Sequence, residues 1–190
     1  MKSLEERILK DGIVAEGDVL KVGSFLNQQM DIPFVGELAE EIYTLYKDSD
    51  INKILTIEAS GICIASLVAL KFNCYAVFAK KHATSNIQGE CYSTHLHSYT
   101  HNTNDSVIIP KSYIGRSDRI LIVDDFLATG EALEALIRLV DMSGATLVGC
   151  ASLIEKVYQE GGNNIRKRGI RVESLAKISS MNGKSIVFCQ

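Results

Sequence analysis

The chain has 190 residues, of which 46% are hydrophobic and 23% charged, and its formal net charge is -3. That length suits one domain, and the mild acidity excludes a general nucleic-acid binder, which needs a basic face. No apolar run approaches the roughly 20 residues of a bilayer span, so no membrane partner is expected. The opening Met1-Lys2-Ser3-Leu4-Glu5-Glu6-Arg7 turns acidic too early for a secretory signal. We therefore expect a cytoplasmic protein. Its cysteines are Cys63, Cys74, Cys91, Cys150 and Cys189, an odd set without a C-x-x-C pair, and they read as reduced thiols.

In chain order, residues 3–10 predict a short amphipathic helix with Leu4 and Ile8 on one face, stopped by Gly12. Ile13 to Asn27 holds brief alternating runs broken by Gly17 and Gly23, expected as short strands or loops outside the core. Pro33 opens a helix to about Lys47, with Phe34, Leu38, Ile42 and Leu45 at helical spacing. Lys53–Ile57 predicts a buried strand, Gly61–Leu70 an apolar helix and Cys74–Ala79 a second strand. Residues 80–104 are polar, carry all the histidines and predict a long irregular loop. After them come a strand at Val107–Ile109, a strand at 120–123, a helix over about 130–143 and a strand over about 145–154. A polar stretch containing Gly161-Gly162 follows, then two short strands near Val172 and at Ile186–Phe188.

Near-continuous apolar strands alternating with helices predict an α/β fold with a mainly parallel sheet flanked by helices. Ligands of such sheets bind beyond the carboxyl ends of the strands. The loops after Ile57, Ala79, Val123 and Ile154 therefore matter most.

The string Ile120-Leu121-Ile122-Val123-Asp124-Asp125-Phe126-Leu127-Ala128-Thr129-Gly130-Glu131-Ala132 is the most specific in the chain. Two carboxylates at a strand end can accept hydrogen bonds from vicinal hydroxyls. The Ala128-Thr129-Gly130 loop then meets a helix start, where unpaired N–H groups and the helix dipole favour a phosphate. An isolated Asp-Asp or Thr-Gly would be an ordinary strand-to-helix turn. The whole string is a layout for holding a ribose and its phosphate.

That string closely resembles the 5-phosphoribosyl 1-pyrophosphate (PRPP) motif of the type I phosphoribosyltransferases. Glu58-Ala59-Ser60-Gly61 resembles the pyrophosphate-binding turn of the same family. With Leu4-Glu5-Glu6-Arg7-Ile8, Lys80-Lys81 and Ile154-Glu155-Lys156, the resemblance extends nearly end to end to the bacterial xanthine phosphoribosyltransferase family.

The resemblance implies a single domain over residues 1–190. A small hood comes from about residues 1–32 with C-terminal contributions, and a flexible loop covers about 80–104. It implies PRPP and xanthine as substrates, xanthosine 5′-monophosphate (XMP) and pyrophosphate as products, Mg²⁺ travelling with PRPP or pyrophosphate, and a homodimer. It makes Asp124 and Asp125 the catalytic pair. Ala128, Thr129, Gly130, Glu131 and Ala132 hold PRPP, and Glu58 to Gly61 hold pyrophosphate. Leu20, Asn27 and Lys156 contact the base, and Lys80 and Lys81 belong to the catalytic loop, Lys81 within reach of the neighbouring subunit. A lysine at position 156 can donate to a purine 6-oxo group but not usefully to an adenine amino group.

No resident metal site is expected. His95, His97 and His101 lack the spacing and partners of a tetrahedral set. Other readings stay open: the same reaction on guanine or hypoxanthine, a PRPP-sensing regulator on this fold, or a structural protein with a degenerate site. The regulator lacks sequence for a DNA-binding module, because the residues before Pro33 are few and not basic.

Overall fold

The computed structural model describes residues 1–81, 89–97, 104–183 and 185–189. His101, and residues 82–88 and 98–103 of the expected loop, lie outside them.

A six-stranded sheet in the order β10-β9-β8-β7-β3-β4 forms the centre. Its strands are β3 (Lys53–Ile57), β4 (Tyr75–Ala79), β7 (Arg119–Leu127), β8 (Thr146–Lys156), β9 (Val172–Asn182) and β10 (Ser185–Phe188). All neighbours pair in parallel except β10, which runs antiparallel to β9. The expected mainly parallel α/β sheet is what the chain adopts.

Period-two alternation divides the core. Leu121 and Val123 of β7 face one layer, where α2 (Ile32–Tyr46), α3 (Gly61–Phe72) and the N-terminal segment pack. Ile120 and Ile122 face the other layer, with α4 (Glu131–Ser143) and Ile165 of α5 (Gly161–Lys167). In α2, Asp31 caps the N-terminus by accepting from the Phe34 N–H at 3.3 Å. Its Val35, Leu38, Ala39, Ile42 and Tyr46 then recur at helical spacing and are all buried. None of the helices among the described residues is long and apolar enough to cross a membrane.

The structure departs from the sequence expectations in four places. First, Ile13–Asn27 is not peripheral. A hairpin, β1 (Ile13–Ala15) with β2 (Val19–Lys21), leads into a single π-helical turn at Gly23–Asn27. Leu20, Val22, Phe25 and Leu26 are buried there. Sequence periodicity is too brief to show this, because each run is short and its apolar residues meet α1 (Lys2–Asp11) and α2 only in three dimensions. The Arg7 guanidinium lies 5.1 Å from the Phe25 ring centre and 5.3 Å from that of Phe34, and pairs with Asp31 at 2.9 Å. Those contacts fasten the segment to the start of α2.

Second, the expected irregular loop contains a hairpin, β5 (Cys91–His97) with β6 (Asn104–Pro110). Val107 and Ile109 bury one side of it against the second layer, and Lys80 bridges to Ile108. Third, β7 runs on through Asp124, Asp125, Phe126 and Leu127, because its backbone keeps pairing with β8 after the apolar run has ended. Fourth, Gly161-Gly162 opens a helix, and β9 is 11 residues long rather than short.

Candidate active site

The carboxyl ends of β3, β4, β7 and β8 converge on one edge of the sheet. Asp124 and Asp125 are nearly enclosed, at 4% and 6% exposure. Ser60, in the turn after β3, donates its hydroxyl to Asp125 Oδ1 at 2.9 Å. The Asp125 N–H donates to Asp124 Oδ1 at 3.0 Å. Burial pushes the Asp124 carboxyl well above the ordinary carboxylate range, and the adjacent Asp125 charge pushes it further, while the Lys81 ammonium acts against both. The result is an electron-rich pair poorly served by water, and a cation placed beside it would be stabilised.

The turn after β3 is tied to the end of β4. The Glu58 carboxylate accepts from the Lys81 N–H at 2.7 Å, and the Glu58 N–H donates to Ala79 at 3.0 Å. Ala59 and Ser60 are exposed, whereas Gly61 is buried at the first position of α3. A Cβ there would come within 2.2 Å of Thr56 Oγ1 and 2.7 Å of Asp124 Oδ1, so only glycine lets this turn sit against the acids.

On the other side of the pair, Ala128-Thr129-Gly130 turns into α4. Gly130 has φ 87°, a left-handed conformation that suits glycine. Thr129 is exposed at the tip and Gly130 is buried. Glu131 and Ala132 begin α4, and their N–H groups belong to its unpaired first turn.

Asn27 shares a cleft with Asp125. A narrow cleft of about 10 Å³ is lined by Leu26, Asn27, Ser60, Cys63, Asp125 and Leu153 among others. Leu20 is buried in the N-terminal segment and does not line that cleft. Lys156 ends β8, is half-buried, and donates through Nζ to the Asp18 carbonyl in the β1–β2 turn. Burial lowers its pKa while the Asp18 charge opposes the shift. Asn27, Ser60 and Asp125 thus share one cleft, while Lys156 reaches the hairpin turn instead.

Sequence reasoning missed the support beneath this edge. Glu155, 1% exposed, takes a two-pronged bond from Arg166, both contacts 2.7 Å, and accepts from Ser174 at 2.6 Å. Burial alone would raise the Glu155 carboxyl, but those hydrogen bonds outweigh it and hold the pKa below the ordinary value. The signal was an acid at the end of a strand that should have been apolar; its partners are 11 and 19 residues away.

The family model of the phosphoribosyl transferase domain matches residues 23–188. The chain belongs to that family. It is 46% identical to the xanthine phosphoribosyltransferase of Finegoldia magna over 188 residues, covering 99% of each chain. It is 52% identical to that of Lachnoclostridium phytofermentans over 190 residues, covering 99% of this chain and 98% of the relative. Among solved structures, adenine phosphoribosyltransferase from Trypanosoma brucei superposes with a TM-score of 0.76 at 20% identity, over 92% of this chain and 79% of that one. That structural likeness speaks for the family's fold alone. A concavity of about 730 Å³ lies elsewhere, against β4 and lined by Tyr75, Phe78, Ile108 and Tyr113 among others. Lys80 lines it, whereas neither Asp124 nor Asp125 does.

Proposed function

We propose that this chain transfers the 5-phosphoribosyl group of PRPP to xanthine, giving XMP and pyrophosphate. The observation that carries the reading is identity of 46% and 52%, over essentially the whole length, to relatives named for that activity. The arrangement of the sheet edge is consistent with it.

In this reading Ala128 to Ala132 hold the 5-phosphate at the start of α4, where free N–H groups and the helix dipole meet an anion. The Glu58–Gly61 turn and Lys80-Lys81 face the pyrophosphate. The C1′–O bond breaks with its electron pair going to pyrophosphate, and the ribosyl ring becomes cation-like. Asp124 and Asp125 stabilise that ring, because a positive charge relieves the repulsion between two desolvated carboxylates. A xanthine ring nitrogen then bonds to C1′, and its proton passes to the departing pyrophosphate, which holds the electron pair of the broken bond, or to water. Leu20, Asn27 and Lys156 form the base end. The Lys156 contact with Asp18 must open, or share its donors, for the ammonium to reach a 6-oxo group.

Among the described residues, no three or more His, Cys, Asp or Glu side chains cluster as a resident metal site. The donor set does fit Mg²⁺ that arrives on the substrate. Such an ion would keep waters and substrate oxygens and would need only one or two protein carboxylates, which Asp124 and Asp125 would supply. When bound, it neutralises charge on the leaving pyrophosphate.

We read the chain as one domain whose first ~32 residues form a hood over the base end. We also read it as a homodimer acting in the cytoplasm, where its multiply charged substrate is retained. Exposed Tyr75 and Phe78 on the open edge of β4, with Tyr113 beside them, support a face that a second copy covers.

The test is product formation from PRPP and Mg²⁺ with xanthine, guanine, hypoxanthine and adenine in turn. We expect XMP to form with the highest kcat/KM. A preference for guanine or hypoxanthine would overturn the base assignment. PRPP binding without product from any base would point to a sensor.

A further inference from the structure

We propose that Gly161 is a positioning residue for the 128–130 loop, and that the buried Glu155 carboxylate, through its fork with Arg166, sets its height. The proposal rests on the reading of that loop as the phosphate cradle. The loop does not stand alone: its back rests on the first residue of α5. The Gly161 N–H donates to the Ala128 carbonyl at 3.2 Å. A Cβ at Gly161 would lie 2.4 Å from Ala128 O, 2.4 Å from Thr129 C and 2.5 Å from Gly130 N. From the other side, a Cβ at Gly130 would lie 3.0 Å from Gly161 Cα. These neighbours are all backbone, so no side chain can swing away to make room.

The next residue ties α5 to the sheet. A Cβ at Gly162 would come within 2.0 Å of Glu155 Oε1 and 2.7 Å of Arg166 Nη1. Glu155 holds Arg166, itself in α5, through both carboxylate oxygens, and Ser174 of β9 holds Glu155. Glu155 pairs in register with Leu127, the residue before the loop, and precedes Lys156 in β8. One run of contacts therefore passes from β9 through Glu155 and Arg166 to α5, and from Gly161 to the loop backbone. Two adjacent glycines are needed because α5 touches the loop with one and the buried carboxylate with the other. The loop's N–H groups keep their direction only while α5 stays at this distance.

The test is Gly161→Ala in the full chain, read as PRPP affinity by titration calorimetry, with steady-state KM values for both substrates and thermal melting alongside. A displacement of the loop by about an ångström should weaken PRPP roughly tenfold or more. The xanthine KM should stay within about twofold, since Asn27 and Lys156 lie on other elements. Gly36→Ala, inside α2 at a position where a Cβ meets nothing within 4 Å, should leave PRPP affinity and both KM values unchanged while raising Tm by a few degrees, as helix propensity requires. Wild-type PRPP affinity in Gly161→Ala would overturn the proposal, and so would equal losses in both KM values. Should Gly161→Ala fail to fold, Arg166→Lys, which keeps the charge but not the fork, should weaken PRPP selectively, and unchanged affinity would overturn the proposal. A wild-type chain that does not bind PRPP at all would instead defeat the functional reading beneath it.

Discussion

At the scale of single residues, the acids carry opposite demands. Asp124 is held with its pKa above the usual carboxylate value by burial and by Asp125. The folded chain therefore binds a proton more tightly there than the unfolded chain. The sign follows: stability is lost as pH rises from the unfolded carboxylate value toward the raised folded one. Asp124→Asn should accordingly raise Tm at neutral pH, by about 2–4 °C for each kcal/mol recovered in a chain of this size, while lowering kcat. A melting scan across pH checks it, and a lower Tm for the variant at pH 7 would count against the account. Asp125→Asn should lower kcat far more than it weakens xanthine binding, which steady-state kinetics can separate. An unchanged kcat would remove Asp125 from the chemistry.

Elements decide how these residues meet. The single turn at Gly23–Asn27 buries Phe25 completely and presents Asn27 to the cleft. Phe25 stacks edge-on against Phe34, with ring centres 6.2 Å apart, under the Arg7 guanidinium. Phe25→Ala should cost about 3–5 kcal/mol, and because Leu26 and Asn27 ride on the same turn it should also raise the xanthine KM. Chemical denaturation with parallel kinetics measures both, and a destabilised protein with a normal xanthine KM would separate the turn from base binding. The acids of β7 were readable as a motif, but not as part of a strand. Strand membership is decided by pairing with β8, and no local apolar pattern announces it.

Across the whole molecule, β4 forms an open sheet edge with Tyr75 80% exposed and Phe78 41% exposed. Unpaired edges with aromatic side chains are rarely left to water. Light scattering with size exclusion should give the mass of a dimer, and Phe78→Asp should shift it toward the monomer. A wild-type chain that runs as a monomer at micromolar concentration would rule the second copy out.

By itself the sequence determined the layered α/β architecture, because apolar strands and amphipathic helices declare their periods locally. It also determined the string from Ile120 to Ala132 and the small residues from Ala59 to Gly61, since close approach of backbone to ligand restricts residue types over a short span. Only the tertiary structure decided that the segment around Phe25 is core and that residues 91–110 contain a hairpin. It alone brought Asn27, Ser60 and Asp125 to one cleft and seated Gly161 and Gly162 against the loop and Glu155. In each case the reason is the same. These contacts join residues far apart in the chain, and their energy comes from burial and pairing that exist only after the sheet has assembled.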